Sequence, residues 1–248
     1  MTNPKQYGLI GYPLSHSFSK QYFTEKFQRE GITDSTYELF EIPSIEQLTD
    51  VFQQNPNLRG LNVTIPHKQQ VMQYVDEFDP VAQRIGAVNT VRIEANKKVG
   101  FNSDYYGFRD SLLPWLNRTS VDQALVLGTG GASRAVVCVL EDLKIKYTYV
   151  SRQSSEKSIS YAELKNKNVK NYPLIINTTP LGMSPNRGTY PDLNYNQLTS
   201  NHFCYDLVYN PEETAFMRLA KQQGARVKNG LEMLHRQAEK SWEFWNAP

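Results

Sequence analysis

Ala124-Leu125-Val126-Leu127-Gly128-Thr129-Gly130-Gly131-Ala132-Ser133 is the stretch that settles the fold class. Its four leading apolar residues carry no polar alternation, which predicts a strand buried on both faces, as in a parallel sheet. Gly128 to Ser133 then offers almost no side chain. An apolar run from Arg134 to Leu143 follows at helical length. Strand, glycine turn and helix in that order let backbone N–H groups approach a pyrophosphate at the positive end of the helix. Moving outward, Tyr147 to Val150, Leu174 to Asn177 and Phe203 to Leu207 predict further strands. The pattern is that of a dinucleotide-binding α/β fold.

The residues after the next strand choose the cofactor. An acid there would accept the ribose hydroxyls of NAD, but the sequence reads Val150-Ser151-Arg152. A guanidinium suits a 2′-phosphate through charge-assisted hydrogen bonds, so the expected cofactor is NADP. Ser133 departs from the usual Gly or Ala at the sixth turn position. The plainer alternatives are a tight turn and a surface arginine.

The N-terminal half alternates strands and helices. Tyr7 to Gly11 predicts a strand that breaks at Gly11-Tyr12-Pro13. Ser15, Ser17 and Ser19 follow, with Phe18, Tyr22, Phe23 and Phe27 at helical spacing. Thr36 to Ile42 predicts a strand, and Ser44 to Gln47 a capping box opening a helix. Arg59 to Ile65 alternates like a strand that Pro66 must end, because proline has no N–H for the ladder. A helical pattern runs from Lys68 to Val75, placing Lys68 at a strand-to-helix corner. A cation there opposes the helix macrodipole, and a broken local rule points to function. Asp79-Pro80 opens a short helix to about Ile85. Val88 to Glu94 and Val99 to Phe101 predict a hairpin around Asn96-Lys97. A helix from Tyr106 to about Leu113, stopped by Pro114, links to the second half. After Gly230, Leu231, Leu234, Ala238, Trp242 and Trp245 line one face of a final helix that should dock on a core. The expected architecture is α/β in two domains: a mostly parallel one of residues 1–104 plus 231–248, and a Rossmann-like one of 105–230.

Composition sets limits. The chain has 248 residues, 40% of them hydrophobic and 21% charged, as in an ordinary soluble globular protein. A net charge of +2 gives no reason to expect nucleic acid or an anionic membrane as partner. No apolar run reaches the roughly 20 residues of a membrane helix, and the start has no signal-peptide core. A cytoplasmic location is expected, with Cys138 and Cys204 as buried thiols. His16, His67, His202 and His235 form no metal-binding pattern, and no metal is expected.

Several motifs together resemble the shikimate dehydrogenase family. They are GYPLSHSFS at 11–19, NVTIPHK at 62–68, GAVNT at 86–90, GFNSD at 100–104, GTGGAS at 128–133, NTTPLGM at 177–183, DLVYNPEET at 206–214 and GLEMLHRQA at 230–238. Their order and spacing follow the family over nearly the whole chain. The resemblance implies reversible reduction of 3-dehydroshikimate to shikimate by NADPH, in aromatic amino-acid biosynthesis, in a cleft between the domains. It makes Lys68 and Asp104 the catalytic pair. A lysine ammonium can supply the proton that a ketone oxygen needs, and an adjacent carboxylate can orient it. Ser17, Ser19 and Tyr209 are implied for the substrate carboxylate, and Thr64, Asn89 and Gln237 for its other groups, with Lys68 and Asp104 also touching substrate. Gly128, Thr129, Gly130, Gly131, Ala132, Ser133, Ser151 and Arg152 are implied for the cofactor, with Leu207 and Gly230 at its nicotinamide end.

The resemblance gives His67 and His16 structural roles. Three residues depart from the pattern: Lys20 where proline is common, Ser103 where threonine is usual, and Ser151 where asparagine is common. Two other readings are carried forward: a quinate/shikimate dehydrogenase with wider substrate and cofactor range, and a non-catalytic shikimate or nucleotide binder. The expected partner is a small molecule, and the chain is expected as a monomer or homodimer.

Overall fold

The computed structural model describes residues 4–15, 17–94 and 97–247. The chain divides into two compact units, Met1–Ser103 with Ala238–Pro248 and Asp104–Gln237.

Unit 1 contains β1 (Lys5–Gly11), α1 (Ser19–Glu30), β2 (Ser35–Glu41), α2 (Leu48–Gln54), β3 (Leu58–Val63), β4 (Glu77–Phe78), α3 (Pro80–Ile85), β5 (Thr90–Glu94) and β6 (Lys97–Phe101). Its sheet runs β2-β1-β3-β5-β6-β4. The β1–β2, β1–β3 and β4–β6 pairs are parallel, while β3–β5 and β5–β6 are antiparallel. One core packs Ile10, Leu48, Leu61, Val63, Val71 and Val91. The other packs Tyr7, Phe23, Phe27, Tyr37 and Trp245 on the opposite side. Tyr7 stacks on Trp245 with centroids 4.9 Å apart; Ala238 and Trp245 of the face predicted for the last helix are buried and Trp242 partly so, whereas Leu231 at its start is exposed.

Two expectations in this half need correction. The segment after Pro66 is no α-helix; it turns, then forms a 3₁₀ stretch from Gln70 to Tyr74. Lys68 therefore faces no macrodipole of consequence. The capping box at Ser44 is present but closes a 3₁₀ turn, and α2 starts only at Leu48. Asp79 caps α3 as read, accepting from the N–H groups of Val81 and Ala82. The tip of the β5–β6 hairpin at Asn96 lies outside the described residues, as does His16.

Unit 2 is built from α4 (Ser103–Leu116), β7 (Gln123–Leu127), α5 (Gly131–Asp142), β8 (Lys146–Ser151), β9 (Ser158–Ser160), α6 (Tyr161–Lys165), β10 (Leu174–Asn177), β11 (Phe203–Asp206), α7 (Ala215–Gln222) and β12 (Arg226–Lys228). The first residue of α4 belongs to unit 1. The final helix, α8 (Leu231–Asn246), starts in unit 2 and ends in unit 1. The unit 2 sheet is wholly parallel in the order β12-β11-β10-β7-β8-β9. The edge strands β9 and β12 are three residues each, too short for periodicity to reveal. Pro114 does not stop α4. It sits exposed in the last turn, where buried Leu112 and Leu116 hold the helix in place. The helix ends instead at Asn117 and Arg118, which take left-handed φ of 45° and 61°. Among the described residues no helix is long and apolar enough to cross a membrane.

Candidate active site

Strand order reverses beside β1 in unit 1 and beside β7 in unit 2. At such points the loops leaving neighbouring strands diverge and open a crevice at their carboxyl ends. The two crevices hold different chemistry.

The first lies past β1 and β3. Ser17 follows β1; its N–H donates to Leu14 O at 2.9 Å, and its Oγ accepts from Ser19 N–H at 3.3 Å. The Ser17 oxygen thus supports the opening of α1 without using its own proton. Ser19 hydrogen-bonds the Tyr37 hydroxyl. Lys20 pairs with Glu38 at 2.7 Å on the exposed side, so α1 opens normally without the proline. Past β3, Thr64 N–H donates to Ile10 O and Thr64 O accepts from His67 N–H, both at 2.9 Å. His67 is buried, and its Nε2–H donates to Ile42 O at 2.7 Å. The Lys68 carbonyl accepts from Val88 N–H at 2.8 Å. Backbone tethers to β1 and to the 87–89 segment, together with the His67 side chain on the residue after β2, therefore fix the half-buried Lys68. That segment is fastened to the start of α4 as well. Asn102 donates to Ala87 O at 3.0 Å, and Ser103 N–H donates to Asn89 Oδ1 at 2.7 Å.

Asp104 lies in the first turn of α4, where the helix N-terminus favours a carboxylate, and is 8% exposed. Gly107, one turn on, lets α8 approach: a Cβ there would sit 2.7 Å from Met233 O and 2.8 Å from Gln237 Cβ. Gln237 is thus held at this helix crossing, its amide donating to Leu234 O at 3.0 Å.

The second crevice lies past β7 and β10. Gly128 takes φ +102°, and its N–H donates to Val150 O at 2.8 Å. A side chain there would meet Thr178 and Thr179. Gly130 caps α5, and buried Ser133 donates its hydroxyl to Gly130 O at 2.7 Å, closing the turn on itself. This is a structural use for the serine that departs from Gly or Ala. Thr129, Gly130 and Gly131 are exposed, and Ala132 is half-buried. Ser151 ends β8 with its hydroxyl engaged by Gln153 O and Ser158 Oγ, and Arg152 stands exposed beyond it. Leu207 N–H donates to Asn177 O, and Gly230 N–H to Val208 O. A Cβ on Gly230 would lie 2.1 Å from Leu207 O, so only glycine fits. Tyr209 is half-buried, and burial raises its phenol above the ordinary range.

The N-terminal region, residues 9–91, matches the family model described as the shikimate dehydrogenase substrate binding domain. A curated relative from Methanococcus aeolicus, named shikimate dehydrogenase (NADP(+)), is 38% identical over 97% of this chain and 91% of its own length. The chain belongs to the shikimate dehydrogenase family. The solved shikimate 5-dehydrogenase of Thermus thermophilus in complex with NADP(H) and shikimate is similar at TM-score 0.83 and 29% identity, covering 98% of this chain and 94% of that one. A quinate dehydrogenase from Corynebacterium glutamicum in complex with NAD superposes at TM-score 0.87 and 22% identity over 100% of this chain and 95% of that one, a likeness of fold alone.

A dinucleotide fits the family's second crevice in this chain. Cβ atoms built on Gly130 and Gly131 meet nothing within 4 Å, so the backbone N–H groups at the start of α5 stand behind open space. Sequence reasoning passed over buried polar residues that lie at or beneath these strand ends. Asp206 ends β11 fully buried, accepting from Asn177, Val208 N–H and Thr214. Burial pushes its carboxyl up to about 6. Asn62, Tyr37, Thr90 and Ser103 form a buried polar cluster under the first crevice. The available signal was a polar residue on the inward face of an apolar strand, as in Leu61-Asn62-Val63.

Proposed function

We propose that this protein catalyses the reversible NADPH-dependent reduction of 3-dehydroshikimate to shikimate, as a cytoplasmic enzyme of aromatic amino-acid biosynthesis. Residues 1–104 with 231–248 take the substrate, and residues 105–230 take NADP. The carrying observation is the first crevice: Ser17, Ser19, Thr64, Lys68 and Asn89 are anchored by backbone hydrogen bonds around one strand reversal. A carboxylate with several hydroxyls needs such a set of small donors and acceptors. Ser17, Ser19 and Tyr209 bind the carboxylate, and Thr64, Asn89, Asp104 and Gln237 bind hydroxyls.

The nicotinamide cofactor supplies the hydride. The backbone N–H groups of Gly130 to Ala132 hold its pyrophosphate, Arg152 its 2′-phosphate, and Leu207 and Gly230 border its nicotinamide end. Lys68 gives the proton to the substrate oxygen in reduction and takes it back in oxidation. Asp104 orients that exchange and hydrogen-bonds the substrate hydroxyl.

The test is an initial-rate assay of shikimate oxidation with NADP+, run beside quinate and NAD+. Turnover of shikimate with NADP+ well above the other combinations is expected. Equal turnover of quinate or use of NAD+ would favour the broad-range reading, and binding without turnover the non-catalytic one.

A further inference from the structure

Unit 1 contains one connected cluster of buried polar side chains. Asn62 comes from β3, Asn89 precedes β5, Thr90 opens β5, Ser103 opens α4 and Ser241 comes from α8; none exceeds 6% exposure. Ser241 Oγ lies 2.9 Å from Asn62 Nδ2, 2.8 Å from Thr90 Oγ1 and 3.0 Å from Ser103 Oγ.

Two neighbours of fixed character set the direction of these bonds. Asn62 Nδ2 also faces the Asn89 carbonyl oxygen at 3.4 Å, which can only accept, so that end of the amide is nitrogen. Asn89 Oδ1 faces Ser103 N–H at 2.7 Å, which can only donate, so that end is oxygen. Asn62 therefore donates to Ser241. Ser241 Oγ also lies within hydrogen-bond distance of the Thr90 and Ser103 hydroxyls. Both of those hydroxyls in turn face Asn89 Oδ1, at 3.1 Å and 3.2 Å. On the far side, Tyr37 donates to Asn62 Oδ1 at 2.8 Å and is itself bonded by Ser19. One connected relay of hydrogen bonds runs from Ser19 to Asn89, and the last helix supplies its middle link.

We infer that Ser241 is a positioning residue for the substrate: it holds the Asn62–Asn89 relay and so orients the Asn89 amide toward shikimate. The inference rests on the proposed shikimate-binding role of Asn89. Removing the hydroxyl leaves a buried amide N–H without its best acceptor, and the Thr90 and Ser103 hydroxyls that face Asn89 Oδ1 lose the neighbour that fixes their orientation.

The test uses the full-length protein. Ser241→Ala is expected to raise the shikimate Kd and lower kcat/KM for shikimate about tenfold, the effect of one buried hydrogen bond. The Kd for NADP+, measured separately, should stay at the wild-type value. Trp242→Phe is the control, a neighbour on α8 packed on Tyr7 and Phe27. It should lower Tm and leave shikimate binding alone. If Ser241→Ala lowers Tm in the same way while its shikimate Kd and kcat/KM match wild type, Ser241 merely holds the helix and the inference fails. Should the alanine variant not fold, Ser241→Cys decides, since it keeps nearly the same volume with a weaker donor. Weakened shikimate binding in it supports the inference, and wild-type binding overturns it. Failure of the functional reading looks different: wild-type protein would neither bind nor oxidise shikimate.

Discussion

The two strand reversals solve one geometric problem with opposite materials. In unit 2 the crevice past β7 is made by leaving side chains out, so that Gly130 and Gly131 expose backbone to open space. In unit 1 the crevice past β1 is made by side chains that are already bonded, with Asn89, Ser103, Thr90 and Asn62 locked in one buried cluster. The first kind of site presents a row of backbone donors to any phosphate. The second holds a fixed pattern of donors and acceptors, the kind of surface the proposed carboxylate and hydroxyls of the substrate require. Damage to the two should therefore look different, in cofactor affinity on one side and in chemistry or substrate fit on the other.

The largest expected effect lies in unit 1. Lys68→Ala should cut kcat by about a hundred- to ten-thousandfold, the usual worth of general acid–base help. The tethers to Ile10, Ile42 and Val88 hold the local backbone, so the variant should stay folded and bind NADPH normally. Asp104→Asn should also lose activity. In the double variant the losses should fall well short of multiplying if the two residues serve one proton transfer, as proposed. Saturating kcat for all four proteins is the measurement. A wild-type kcat in Lys68→Ala at every pH removes the lysine from the chemistry.

Two glycines of unit 2 sharpen the contrast within one site. At Gly230 a Cβ would collide with the Leu207 carbonyl, and backbone cannot yield cheaply. Gly230→Ala should cost about 1–3 kcal/mol or more of stability, read as a fall in Tm. At Gly130 a Cβ meets only open space, and φ of −77° suits alanine. Gly130→Ala should keep its Tm yet raise KM for NADP+ roughly tenfold or more, as the methyl intrudes where the pyrophosphate approaches. An unchanged KM there would move the cofactor off the turn.

What could be read from sequence follows the same division. The turn at Gly128 to Ser133 was legible because its chemistry is local: strand, glycines and helix are contiguous, and the structure reproduces them at β7 and α5. The capped helix at Asp79-Pro80 and the aromatic face of α8 were legible for the same reason. The Asn62–Ser241 bond spans 179 residues of chain, and no periodicity encodes such a meeting. Val71, Met72 and Val75 repeat like a helix and so predict one at Lys68. The tethers at His67 and Val88 are long-range, and they favour a turn and a 3₁₀ stretch instead. Pro114 misled in the opposite way: burial of Leu112 and Leu116 outweighs one missing hydrogen bond at a helix end.

Arg152 gives an intermediate effect. It stands exposed beyond β8, while the Ser151 hydroxyl beside it is spent on the local turn. Losing its contact with a 2′-phosphate should cost about 1.5–3 kcal/mol, roughly ten- to over a hundredfold in NADPH affinity. The NADH affinity of Arg152→Ala should hardly change. Equal losses for both cofactors would show that the arginine reads something common to them.

The smallest expected effect concerns the fastening of the second crevice rather than its ligand. Asp206 is fully buried, and desolvation lifts its carboxyl from the ordinary value near 3.8 to about 6, against the pull of hydrogen bonds from Thr214, Val208 and Asn177. The folded protein thus binds this proton more tightly than the unfolded chain does. Its contribution to stability is fully present below the unfolded value and is lost as pH rises through about 6. Between pH 7 and pH 5 the wild type should therefore gain on the order of 1 kcal/mol relative to Asp206→Asn, which cannot titrate. Denaturant melts of both proteins at the two pH values isolate the term, because every other titrating group is shared. A difference that stays constant, or one that shrinks as the pH falls, would mean that the three hydrogen bonds outweigh burial. Asp206 would then be an ionised anchor, and the second crevice would be held by charge rather than by a neutral buried acid.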